Sequence, residues 1–272
     1  MQLNVFDSKI EMGLAAARRG AECLRKALAT KGQANVILAT GASQFEVLDS
    51  LLLEEHLDWQ NVTGFHLDEY CGLAASHPAS FRQYLWSRFV SRLPTPMSAF
   101  HWIRGEGSPH EECQRLASII SRVEIDVAFV GIGENAHLAF NDPPADFETT
   151  KPYLVVGLDD ACRRQQWNEG WFATLDAVPK RAISMSVKQI LQSKTIVCTV
   201  PDERKAQAVA ASVDGPVDRN VPASILQQHS DISLFVDRPA ASLLSCERRS
   251  GDPSKPCGPK AAKEVVRMTS RI

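Results

Sequence analysis

ANVILATGASQFEVL, residues 34–48, decides the fold. Residues 34–39 form a short apolar run and residues 40–43 a turn of small side chains. Phe45, Leu48, Leu51 and Leu52 then follow helical spacing. A run without polar alternation reads as a strand covered on both faces, as in a parallel sheet. The same grammar recurs on either side. Ser8 is the expected N-cap of a helix through Met12, Leu14, Ala17, Leu24 and Leu28. Strands are predicted at 62–67, 125–130, 195–200 and 232–236, and helices at 80–90 and 203–213. Strands separated by helices predict an α/β chain with a mainly parallel sheet flanked by helices on both faces.

Bulk properties narrow the function. The chain has 272 residues, enough to bury a sizeable core. A formal net charge of -2 gives no reason to expect nucleic acid or an anionic membrane as partner. The seven cysteines are scattered singly, with no C-x-x-C pair, so reduced thiols in a cytoplasmic protein are expected. The start of the chain lacks the apolar run of a signal peptide, and no segment is long and apolar enough to span a bilayer. Residues 1–246 are expected to form one domain. Residues 247–272 turn basic and rich in Ser, Gly and Pro, which predicts a mobile tail with a short helix at 261–268.

Parallel α/β sheets bind ligands beyond the carboxyl ends of their strands, so strand ends carry the chemistry. Three of them run directly into polar residues. In the first, Thr40, Gly41, Ala42 and Ser43 open a helix and offer backbone N–H groups and hydroxyls to an anion. Such turns also occur for purely structural reasons. In the second, GFHLDEYCGL (64–73), Asp68 and Glu69 are adjacent, so one should face the crevice and the other away. A solvated loop is the alternative there. A carboxylate near a sugar C2 can shuttle a proton between neighbouring carbons, which gives Asp68 the role of base. In the third, VGIGENAHLAFNDPPADF (130–147), His137 lies between a Gly-x-Gly turn and Asp142. A structural histidine is one reading; an imidazole held in one tautomer for proton transfer is the other. No His or Cys stands at a metal-ligand interval from His137, so no metal is expected there, and two glycines do not make a dinucleotide fingerprint.

LATGAS, FHLDEYCGL followed by HPASFRQYL, and GIGENAHLAFNDP together resemble the glucosamine-6-phosphate deaminase/isomerase family. Weaker similarity continues through CRRQQWNEGWF, VPKRAISMSV, KAQAVAASVDGPV and VPASILQQH, covering residues 8–238. The resemblance implies a three-layer, Rossmann-like fold, no cofactor and a small sugar phosphate as partner. It implies that Asp68 moves a proton between C2 and C1, that His137 assists ring opening, and that Asp142 orients the His. It places the phosphate on residues 40–43 and Lys205. Family members occur as monomers and hexamers, so a homo-oligomer is compatible with it.

Four departures stand out. Asn135 replaces an Asp two residues before the His, so it cannot act as a charged partner. Asp142 replaces a longer Glu, and Ala136 replaces a Gly. The family's phosphate arginine aligns with NEGWF (168–172), which has none, so Arg163 or Arg164 is expected to supply the charge. Rival readings are a galactosamine-6-phosphate isomerase, a 6-phosphogluconolactonase and a non-catalytic sugar-phosphate sensor. The lactonase motif Asp-Gly-His-x-Ala-Ser-x-Phe-Pro is not matched at 135–143, and a sensor would need an output module that the sequence does not display.

Overall fold

The computed structural model describes residues 1–245. The tail at 247–272 and the helix expected at 261–268 lie outside the described residues. In chain order the elements are β1 (Gln2–Phe6), α1 (Lys9–Lys31), β2 (Ala34–Leu38), α2 (Phe45–Leu51), β3 (Val62–His66), β4 (Asp68–Tyr70), α3 (Phe81–Arg88) and β5 (Ala99–His101). They continue with α4 (Pro109–Ile120), β6 (Val127–Val130), β7 (Tyr153–Gly157), α5 (Asp160–Asn168) and β8 (Arg181–Met185). The last are α6 (Val187–Leu191), β9 (Thr195–Val200), α7 (Ala206–Asp214) and β10 (Ile232–Asp237).

Seven strands form one sheet in the order β1-β10-β9-β6-β2-β3-β5, and every neighbouring pair in it is parallel. Alternate residues of its strands point to opposite covers. Val36, Leu38, Val127 and Phe129 pack with Met12, Leu24 and Leu48 from α1 and α2. Ile37, Ala128 and Val130 pack with Leu116 and Val209 from α4 and α7. Both faces are therefore dry, which is why these strands lack polar alternation.

The helix ends follow local chemistry. The Ser8 hydroxyl accepts from Glu11 N at 3.2 Å, as expected for the N-cap of α1. Ser80 caps α3, and Ser108 with Pro109 at the first turn starts α4.

One contact between α1 and the sheet leaves no room for a side chain. A Cβ added at Gly20 would lie 2.1 Å from the Phe129 ring. Overpacking of this kind costs about 1–3 kcal/mol, offset by the roughly 1 kcal/mol that Ala gains over Gly inside a helix. Gly20→Ala is expected to lower the melting temperature by about 5 °C. An unchanged midpoint in a thermal melt would show that α1 can shift without loss.

Three features depart from the expected pattern. Gln2–Phe6 forms an edge strand that pairs with β10 along its length. A second, three-stranded antiparallel sheet, β4-β8-β7, branches from the first. The helix expected at 203–213 is also split, with a 3-10 turn (Glu203–Lys205) leading into α7.

Candidate active site

A cleft of about 670 Å³, its open mouth included, lies beyond the carboxyl ends of β2, β3, β6 and β9. Its walls are the segments that follow those strands: residues 39–43, 67–68, 131–133 and 201–205.

Asp68 stands where the chain leaves the large sheet for the small one. Leu67 N bonds back to Leu38 O at 3.3 Å, while Leu67 O accepts from Met185 N at 2.9 Å. The fork fixes the alternation, so Asp68 lines the cleft and Glu69 turns away. Glu69 Oε2 accepts from the Ser80 hydroxyl at 2.8 Å and Arg82 N at 2.9 Å. Its Oε1 accepts from Tyr70 N and Phe81 N. Glu69 thus anchors the start of α3. Asp68 is 6 % exposed, and its Oδ1 has no hydrogen-bond partner. Burial, helped by the neighbouring Glu69 charge, pushes the Asp68 carboxyl up to about 8.

His137 sits in a tight turn closed by Gly133 N donating to His137 O at 3.0 Å. A Cβ on Gly133 would fall 2.2 Å from the imidazole, so only glycine lets the ring stack against that backbone. Ala136 and Ala139 flank the turn with φ of 65° and 52°, a conformation L-residues rarely adopt. The His137 Nδ1 atom lies 3.2 Å from Asp142 Oδ1, without the alignment of a hydrogen bond.

Asn135 bridges this pair. Its Nδ2 donates to Asp142 Oδ1 at 3.0 Å, and its Oδ1 accepts from His137 N at 3.2 Å. Asp142 Oδ2 also accepts from Asp159 N at 3.2 Å. Burial opposes the Asp142 charge, yet His137, Asn135 and the Asp159 N–H hold its carboxyl below the usual range. Asn135 therefore positions the acid rather than charging the histidine.

The opposite wall is the loop after β2. Thr40, Gly41, Ala42 and Ser43 line the cleft, with Gly41 immediately before a 3-10 turn. Gln44 stitches this loop to the sheet. Its Nε2 donates to Thr199 Oγ1 at 2.8 Å and Val130 O at 3.2 Å, while the Thr199 hydroxyl bonds Ser43 O at 3.1 Å. The Tyr84 hydroxyl braces Gly41 O at 2.9 Å.

Lys205 lines the cleft and is 6 % exposed. Among the described residues it has no carboxylate within ion-pair distance, and burial lowers its pKa.

Arg163 and Arg164 are not brought to the cleft. The Arg163 guanidinium is buried against Leu175 O at 2.8 Å and Val178 O at 3.3 Å, where it ties down the segment after α5. Arg164 is exposed, on the outward face of α5. The additional cation is Arg204, which lines the cleft beside Lys205. It is held by Glu134 at 3.3 Å, Asp202 at 3.9 Å and Glu169 at 4.0 Å. Reading the end of strand 195–200 as a fourth strand end would have found it, since Arg204 immediately precedes Lys205 in sequence.

A family model described as glucosamine-6-phosphate isomerases/6-phosphogluconolactonase matches residues 7–234. The glucosamine-6-phosphate deaminase of Listeria monocytogenes is 38% identical over 246 residues, covering 90% of this chain and 100% of the relative. That of Streptococcus pneumoniae is 35% identical over 237 residues, covering 87% and 97%. A solved monomeric glucosamine-6-phosphate deaminase superposes with a TM-score of 0.82 at 32% identity, covering 89% of this chain and 100% of that one. A 6-phosphogluconolactonase from Trypanosoma brucei reaches 0.71 at 15% identity over 90% and 98%, a likeness of fold alone.

Proposed function

The chain belongs to the glucosamine-6-phosphate isomerase/6-phosphogluconolactonase family, and from that premise we propose that it is an enzyme converting glucosamine 6-phosphate to fructose 6-phosphate and ammonia. The observation that carries the reading is a buried carboxyl, Asp68, with a free oxygen in the cleft that also holds His137 and the unpaired cation Lys205. A lactone hydrolase has no need of a base at C2.

The phosphate is taken by residues 40–43 together with Lys205 and Arg204, and Arg204 leaves its carboxylates to do so. His137, held by Asp142 and Asn135, takes the proton of the C1 hydroxyl and passes one to the ring oxygen as the bond from C1 to that oxygen breaks, which opens the pyranose to the aldehyde. Asp68 removes the C2 proton to give an enolamine and returns it to C1. Water then adds at C2 of the resulting imine and ammonia leaves. Holding the phosphate fixed lets one carboxylate serve both carbons.

A cytoplasmic setting belongs to the same reading. It is supported by five free cysteines among the described residues, none of whose helices is long and apolar enough to cross a membrane.

The test is ammonia release from glucosamine 6-phosphate, with galactosamine 6-phosphate run beside it. Ammonia from the first sugar is expected. Release from the second alone would reassign the epimer, and release from neither would overturn the deaminase reading.

The pH profile follows from the sign of the Asp68 shift. A raised pKa leaves the carboxyl protonated, and useless as a base, at neutral pH. Hence kcat/KM is expected to climb about tenfold per pH unit and level off above about 8. A flat profile between pH 6 and 9 would remove Asp68 as the titrating base.

A further inference from the structure

Cys162, on α5, is used nowhere in the chemistry above, yet it lies against that chemistry. Its Sγ, His137 Nδ1 and a carboxylate oxygen of Asp142 lie within 4.8 Å of one another. No sequence interval announces this cluster, because Cys162 arrives from a different element.

We propose that these three side chains bind a single borderline-soft divalent cation such as zinc, and that the bound ion switches off the His137–Asp142 pair. The donors are one thiolate, one imidazole nitrogen and one carboxylate oxygen, a set that suits tetrahedral zinc with water as fourth ligand. At zinc bond lengths such donors stand roughly 3.4 Å apart. The Nδ1–Oδ1 separation of 3.2 Å already meets that spacing, and the sulfur, within 4.8 Å of both, needs a shift of at most about 1.4 Å. His137 Nδ1 is buried without a hydrogen-bond partner. Asp159 N and Asn135 Nδ2 bond the Asp142 carboxylate and would hold it as a ligand. His137 lines the cleft, which supplies the way in.

Burial and the Asp142 and Asp159 charges raise the thiol pKa. The ion must therefore displace the proton: the S–H bond breaks, a metal–sulfur bond forms, and the proton goes to solvent.

Binding rests on the geometry, whereas inhibition rests on the proposed roles of His137 and Asp142. Cobalt(II) separates the two, because a thiolate–cobalt charge-transfer band reports the ligand set without any turnover. The purified chain is expected to show that band at one equivalent. Cys162→Ser should abolish the band, weaken binding about 100-fold and retain metal-free activity. Cys162→Ala serves as a second variant against a folding defect. Absence of the band, or its persistence in Cys162→Ser, would overturn the site. For inhibition, zinc should suppress ammonia release from the native chain, and Cys162→Ser should resist it. Stoichiometric binding with full turnover would overturn the inhibitory half and count against the acid–base roles.

Discussion

Asp68→Asn is expected to cut ammonia release at least 100-fold, roughly the lower end of what a positioned general base contributes. The same change should make the protein more stable at alkaline pH. In the unfolded chain an Asp carboxyl titrates near 4, whereas burial holds it near 8 in the folded one. Between those values the native state keeps a proton that the unfolded state has lost. The stability linked to that group is full below the unfolded pKa and drains away as pH rises through the folded one. Asparagine keeps the shape and never ionises, so the gap in melting temperature between variant and native protein should widen from pH 4 to 8 and then hold. Turnover and thermal melts at pH 5 and 9 check both halves. Undiminished turnover would exclude Asp68 as the base. A melting temperature lowered equally at both pH values would mean that the side chain is structural.

Lys205→Met is expected to raise the half-saturation concentration by about 10–100-fold. A hydrogen bond to a charged group contributes about 1.5–3 kcal/mol, and on the proposed reading the substrate phosphate is the partner of this buried ammonium. The folded pKa is depressed, so the ammonium form disfavours folding until the ligand arrives. Methionine fills a similar volume without charge and should raise the melting temperature at neutral pH. Arg204→Met is the informative companion. Its guanidinium is half exposed and already engaged by Glu134, Glu169 and Asp202, so a smaller change in half-saturation is expected. Unchanged half-saturation in Lys205→Met would move the phosphate elsewhere.

The parallel strands were legible because two-sided burial leaves an apolar run, as at residues 34–39 and 195–200. What stayed hidden depends on partners distant in sequence. Residues 2–6 alternate polar and apolar at a sheet edge, and only pairing with β10 makes them a strand. β4 has three residues, too few for any pattern, and exists because β8 accepts it. The adjacency of Asp68 and Glu69 correctly implied opposite directions, since alternation is local. The family's arginine position falls on residues 168–172, which hold none, and the substitute Arg163 instead satisfies two backbone carbonyls of the following segment. Asn135 illustrates the limit from the other side. Its missing charge was evident in the sequence, but its bridging of His137 and Asp142 emerges only once the turn at Gly133 is folded.

The stitches that Gln44, Thr199 and Tyr84 place on the loop at 40–43 have a thermodynamic corollary. Ordering one backbone residue forfeits about 1–2 kcal/mol of conformational entropy. Because those bonds are made within the protein itself, that entropy is surrendered when the chain folds and not when a ligand docks. On the proposed reading, a phosphate reaching this rim is a key entering a finished lock, with affinity retained for chemistry rather than spent on assembling the receptor.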